Sequence, residues 1–312
     1  MIPARLHTGH VTPTMSRIFL ALLSACTVAC PSLAQAPVAS RTCVVMLGTG
    51  NPVADPERFG PATVIIVDST AYLVDAGVGV VRRWAAAIRA GAGPFKVWDL
   101  RRLFLTHLHS DHTLGYPDLI LSSWTLAPAT LEPLQVFGPK GTRAMTEHLL
   151  AAYAEDIRIR KGESGERAGS PDPRVDVHEI APGVVYRDSL VTVTAFHVHH
   201  GTWKESFGFR FQTPDKDIVI SGDAAPPSAI PAQCRGCDIL IHEGAIFHSG
   251  VSDYQSQFHT SMEEMVDVAN ASRPKLLVLY HQRPGPNDAA LEFIRARYSG
   301  RVVVARDLDV FQ

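Results

Sequence analysis

From Thr42 onward the chain alternates short apolar runs with polar, turn-rich stretches. Cys43–Leu47, Thr63–Val67, Ala71–Val74 and Leu103–Thr106 are four or five residues long and rich in Val, Ile and Leu, the length and content of buried strands. Between the last two, Val81, Trp84, Ala85 and Ile88 recur at helical spacing and Gly91 closes the segment, which predicts a helix over Val80–Ala90. The second half repeats this style. Val191–Phe196, Phe207–Phe211, Ile218–Ser221, Ile239–His242, Leu276–Tyr280 and Val302–Val304 read as strands, with helices at Met262–Asn270 and Asp288–Arg297. Arg158–Arg174 is dense in charge, Gly, Ser and Pro and has no apolar period, so it reads as an exposed loop. Two halves, each strand-rich first and helical later, suit an α/β fold of two sheets packed face to face with helices outside.

The first forty residues follow another pattern. Arg17 precedes the apolar run Ile18-Phe19-Leu20-Ala21-Leu22-Leu23, and small residues lead to Ala34-Gln35-Ala36. That is the form of a secretory signal peptide at 1–36, too short in its apolar core for a permanent span, with Met15 an alternative start. Leu23-Ser24-Ala25-Cys26 also resembles a lipoprotein acylation site, which would anchor the chain at Cys26. The expected domain is then 37–312 and the expected location periplasmic or secreted. In an oxidising space the pair Cys234 and Cys237 has a small disulfide loop open to it, while a single CxxC is weak evidence for zinc.

Composition narrows the partners. A chain of 312 residues that is 46% hydrophobic buries a substantial core, and its formal net charge of −2 gives no basic face. On that ground no long nucleic acid is expected as partner. The oligomeric state is open, with a homodimer one arrangement.

The chemistry concentrates in Thr106-His107-Leu108-His109-Ser110-Asp111-His112. Three imidazoles and a carboxylate within six residues supply the nitrogen and oxygen donors that zinc and its relatives take. A chance H-x-H-x-D-H in such a chain has odds on the order of one in a thousand. Elsewhere His197, His199 and His200 crowd one strand end, and alternation would put His200 on the opposite face from the other two. Read alone, Asp75 is a turn residue before Ala76-Gly77, Asp223 a turn aspartate after Gly222, and His281 a strand-end histidine. His259 precedes Thr260 and Ser261, each followed three residues later by a glutamate, a helix-start signature whose free N–H groups favour an anionic oxygen.

With Leu47-Gly48-Thr49-Gly50-Asn51-Pro52, Val74-Asp75-Ala76-Gly77, Phe137-Gly138-Pro139-Lys140-Gly141, Ser221-Gly222-Asp223 and His242-Glu243, the sequence resembles the metallo-β-lactamase superfamily. The resemblance runs from about Val44 to the C-terminus and is to the branch of ribonuclease Z, small phosphodiesterases and certain arylsulfatases. It implies an αββα four-layer sandwich and two divalent cations, zinc first, with manganese or iron as alternatives. It assigns His107, His109 and His200 to one cation, with His199 as the runner-up for His200. Asp111, His112 and His281 go to the other, and Asp223 bridges them. Asp111 would also orient the attacking water, His259 would be the catalytic acid held by Glu243, and Asp75 would orient ligands.

The departures matter as well. Ribonuclease Z carries a long Gly- and Pro-rich arm for tRNA between its third histidine motif and the bridging aspartate, whereas His200 and Asp223 here are separated by little more than a strand. That argues against tRNA processing, and the resemblance then implies phosphodiester or sulfate-ester hydrolysis with a small anionic ester as substrate. Lactam, lactone or thioester hydrolysis is the alternative, and a non-catalytic metal-binding protein a further one.

Overall fold

A computed structural model describes residues 40–244, 248–250, 253–283 and 288–312. The leader read at 1–36, the start at Met15 and the acylation site at Cys26 lie outside the described residues.

Two seven-stranded sheets carry the fold. In the first, β1 (Thr42–Gly48), β2 (Ala62–Val67) and β3 (Thr70–Val74) are antiparallel neighbours. From β3 the order runs in parallel through β4 (Arg102–Phe104), β5 (Leu134–Gly138) and β6 (Val175–Glu179). The second begins antiparallel, with β7 (Gly183–Arg187), β8 (Thr192–His197), β9 (Phe207–Gln212) and β10 (Asp217–Ile220). It continues in parallel through β11 (Ile239–His242), β12 (Leu276–Leu279) and β13 (Val302–Val304). The last strand, β14 (Val310–Phe311), pairs with β1.

Side chains that alternate along a strand fill two cores at once. In β2, Ile65 and Val67 face the space between the sheets, while Val64 and Ile66 face the helices α1 (Val80–Arg89) and α3 (Tyr116–Leu126). In β12, Val278 joins the inter-sheet core, while Leu277 and Leu279 meet α8 (Met262–Ser272) and α9 (Asp288–Arg295). A strand buried on both faces must be apolar throughout, which is why these runs stand out. The layers are helix, sheet, sheet, helix, as the resemblance implied.

The remaining helices are short or peripheral: α2 (Ser110–Thr113), α4 (Thr142–Ala152), α5 (Ala154–Lys161), α6 (Ile230–Gln233) and α7 (Asp253–Phe258). They bring one correction. Arg158–Lys161 belong to α5 rather than to an exposed loop, and Arg167 within the same segment is buried, its guanidinium donating to the Ala127 carbonyl. Ion pairs Arg158–Glu155 and Arg160–Asp156 at helical spacing stabilise α5 without an apolar stripe. A further difference is at β4, which ends at Phe104, so Leu105 and Thr106 are already in the connection that carries the histidines. Cys234 and Cys237 form a disulfide. Among the described residues no helix is long and apolar enough to cross a membrane.

Parallel strands point their carboxyl ends the same way, and β3, β4, β10, β11 and β12 are all followed at that end by polar residues. Asp75, Thr106-His107, Asp223, Glu243 and His281 sit there. Carboxyl ends of parallel strands are where open α/β sheets place ligands.

Candidate metal centre

The connection after β4 delivers the first histidines. His109 is the N-cap of α2, and that single turn carries Asp111 and His112 inward; His107 and His112 are fully buried. His107 Nε2 lies 2.9 Å from His109 Nδ1, and His200 Nε2 lies 3.1 Å from the same nitrogen. Asp223 Oδ2 faces this trio at 3.9 Å from His107 Nε2 and 3.8 Å from His200 Nε2. Opposite them, His281 Nε2 is 3.2 Å from Asp111 Oδ2, and His112 Nε2 is 3.5 Å from that oxygen. Asp223 reaches this second group too, with Oδ1 3.3 Å from His112 Nε2 and Oδ2 3.5 Å from His281 Nε2.

These seven side chains fit divalent cations on three grounds. Nitrogens bound to one tetrahedral zinc at about 2.0–2.1 Å lie roughly 3.3 Å from each other, close to the spacings within the His107 trio. His112 Nε2 and Asp223 Oδ1 are buried, face each other at 3.3 Å and make no hydrogen bond among the described residues, a costly state that a cation would relieve. Asp223 is 2% exposed; burial alone would push its carboxyl up, yet His281, His112 and His107 hold it well below the usual carboxylate range.

The ligands are held from behind. Asp75 accepts from the Thr106 backbone N–H at 2.8 Å and hydroxyl at 2.9 Å, and its Oδ2 lies 2.8 Å from His112 Nδ1. A carboxylate on the far nitrogen fixes the tautomer that leaves His112 Nε2 free to ligate. His200 is oriented likewise, its Nδ1–H donating to the Phe258 carbonyl at 2.7 Å. Gly222 sets up Asp223: its φ is +62°, and a Cβ there would stand 2.8 Å from the Phe207 carbonyl oxygen and 2.9 Å from Thr106 Cβ. His281 itself has φ +60°, a conformation that costs a non-glycine residue on the order of 1–3 kcal/mol and collects at functional sites.

His259 lies at the rim, following α7. Its ring Nδ1 is 3.1 Å from Glu243 Oε2, and Glu243 Oε1 accepts from the backbone N–H groups of Thr260 and Ala224. Burial opposes protonation of this ring, but the Glu243 charge and hydrogen bond raise it to about 9; cations beside it would act the other way. With Nδ1 committed to Glu243, Nε2 is the nitrogen left for the cleft.

The structure thus brings together every residue picked from the sequence. His200 is the buried member of its trio, while His197 stacks on Phe207 and His199 is exposed, its backbone bridging Ala225. Sequence reasoning missed Trp203, whose indole Nε1 is 2.8 Å from His109 Nε2. An indole only donates, so this contact goes with a proton on His109 Nδ1, and ligation through Nδ1 requires it to shift. Also missed were Tyr254, Phe258 and Arg283, which line a cleft of about 580 Å³ over the cluster with Asn51, Ser110 and His259. Their only sequence signal was position, beside α8 or just after His281.

A four-layer sandwich with His and Asp clusters suited to divalent metal at its strand ends defines a metal-dependent hydrolase. The chain belongs to the β-lactamase superfamily, whose domain model matches residues 70–282. Ribonuclease Z of Mycobacterium bovis (strain BCG / Pasteur 1173P2) is 32% identical over 277 residues, covering 85% of this chain and 96% of that one. Human tRNase Z, short form, has the same fold at TM-score 0.66 and 22% identity, covering 86% of this chain and 98% of its own. A diphosphatase from the PhnP family superposes at TM-score 0.63 and 18% identity, covering 87% and 98%.

These relatives overturn one expectation. No long nucleic acid was expected on net charge, and the missing arm argued against tRNA processing, yet the chain spans 96% of a protein named ribonuclease Z. Net charge averages over the whole surface, whereas phosphate contacts are made by a few local cations, so the average excludes nothing.

Proposed function

We propose that this chain is a dinuclear metal-dependent phosphodiesterase, exported by the leader at 1–36. The carrying observation is the convergence of His107, His109 and His200 on one side of Asp223 and of Asp111, His112 and His281 on the other, with Asp223 within 4 Å of both groups. Bound by these residues, two divalent cations, zinc foremost, would supply Lewis acidity toward phosphoryl oxygens and a water of lowered pKa. The protein's own part is then positioning and proton transfer. Asp111, 8% exposed and at the cleft floor, is placed to orient the attacking water and take its proton. His259 Nε2 returns a proton to the departing oxygen, while Glu243 holds the ring from behind. Ribonuclease and diphosphatase names among the relatives support phosphorus esters over sulfate esters, lactams or thioesters.

One preparation assayed with bis-p-nitrophenyl phosphate, a precursor tRNA, p-nitrophenyl sulfate and nitrocefin tests this. Turnover of a phosphodiester above the other classes is expected. His259→Ala should retain its metal and lose about 10²- to 10⁴-fold in rate, the usual worth of a general acid. Preference for the sulfate or for nitrocefin, or full activity in His259→Ala, would overturn the assignment.

A further inference from the structure

The cleft has an aromatic wall that the hydrolytic chemistry does not use. Tyr254 and Phe258 are four residues apart on α7 and therefore on one face, with ring centroids 4.7 Å apart and planes at 33°. Phe258 stands edge-on to His200 at 5.2 Å. A row of rings thus leads outward from a metal-site histidine to Tyr254, which is 68% exposed. Such a ring at a cleft rim contributes nothing to the core. Arg283, two residues beyond His281, lines the same cleft, is exposed and makes no hydrogen bond or ion pair among the described residues. The cleft also continues. A neighbouring cavity of about 480 Å³ shares Asn51, Ser110 and Asp111 with it and runs on to Val78 and Leu114, 53% and 60% exposed. A substrate filling both would cross the metal cluster and extend on either side.

Direction follows from His259. Phe258 and His259 both pack on the His200 ring, at 5.2 and 5.4 Å, so a group on the oxygen that His259 protonates lies beside the α7 wall. We propose that Tyr254 and Arg283 form a nucleotide subsite on the leaving side: the nucleobase of the departing nucleoside stacks on Tyr254, and Arg283 contacts the next phosphate along the strand. This inference rests on the phosphodiesterase reading and narrows its substrate to a nucleic-acid chain. Aromatic faces take any base by stacking, so selectivity for a base without selectivity among bases is expected, and an exposed guanidinium matches a phosphate.

The test uses matched diribonucleotides, one normal and one whose leaving nucleoside is abasic, with the metal-loaded full chain. The wild type should favour the base-bearing substrate, and Tyr254→Ala should reduce the ratio of kcat/KM between the two by at least about fivefold, the low end for base stacking. Tyr254→Trp should keep that ratio. Apart from turnover, 2-aminopurine at the leaving position should lose fluorescence on binding to the wild type and not to Tyr254→Ala. Arg283→Ala should weaken a trinucleotide relative to the dinucleotide, and Arg283→Lys should do so less. If bis-p-nitrophenyl phosphate is hydrolysed but the ratio is unmoved by Tyr254→Ala, the subsite is refuted and the phosphodiesterase reading stands. If no phosphodiester is hydrolysed while the 2-aminopurine signal depends on Tyr254, the activity reading fails and the subsite survives.

Discussion

Asp75 shows how much of the centre depends on a residue that offers it no ligand atom. It collects the Thr106 backbone N–H and hydroxyl on one side and His112 Nδ1 on the other, at 2.8–2.9 Å for its shortest contacts. Asp75→Asn keeps the size but loses the charge that fixes the imidazole, so metal affinity should fall about 10- to 100-fold. Competition with a chelator of known affinity measures it, and unchanged affinity would show that His112 needs no such support. The legibility of the site followed the same logic. His107, His109, Asp111 and His112 were readable because four donors sit in one short motif. Asp223 and His281 are isolated in sequence and His200 is one of three crowded histidines, so all three became ligand candidates only through the family resemblance. Tyr254 and Arg283 carried no local pattern at all, since the cleft that gives them meaning exists only after folding.

At the level of elements, the buried strands were readable and the edges were not. β2, β10 and β12 are apolar on both faces because helices cover one side and the other sheet the opposite side. β6 and β7 are largely exposed edge strands with mixed polar sequences, and α4 and α5 lack a strong apolar stripe, so periodicity marked none of them. The start of α8 was legible for a different reason, its capping chemistry. Ser261 Oγ accepts from the Glu264 N–H at 3.3 Å, and the Glu264 carboxylate accepts from the Ser261 N–H at 2.9 Å. Ser261→Ala should cost about 1 kcal/mol and lower Tm by a few degrees in a domain of this size. A larger loss would mean that the contact between the Ser249 and Ser261 hydroxyls, 2.7 Å apart, also contributes.

Over the whole molecule the two sheets must stay in register, because one supplies His107, His109, Asp111 and His112 and the other His200, Asp223 and His281. Apart from the shared apolar core, Asp188 ties them together. It sits between β7 and β8 and accepts from the Tyr72 hydroxyl of β3 at 2.7 Å, the Tyr186 hydroxyl, and the N–H groups of Leu190 and Val191. Burial would raise this carboxyl, but those four donors hold it below its ordinary value of 3.8. A depressed folded pKa means the stabilisation is complete above the unfolded value and is lost as pH falls through the folded one. Asp188→Ala should therefore cost on the order of 1–3 kcal/mol at pH 7, from donors left unpaired, and the gap to wild type should narrow at pH 3. Urea unfolding at both values checks this, and a constant gap would remove the charge from the account.

The fold positions both halves of the cluster around one carboxylate, and everything functional follows from that. Crystals of the zinc-loaded protein, with an anomalous map at the zinc edge, measure it directly. The account predicts two peaks roughly 3.5–4 Å apart, both touching Asp223, one among His107, His109 and His200 and the other among Asp111, His112 and His281. A single peak, or a pair that leaves His200 or His281 without contact, would contradict it.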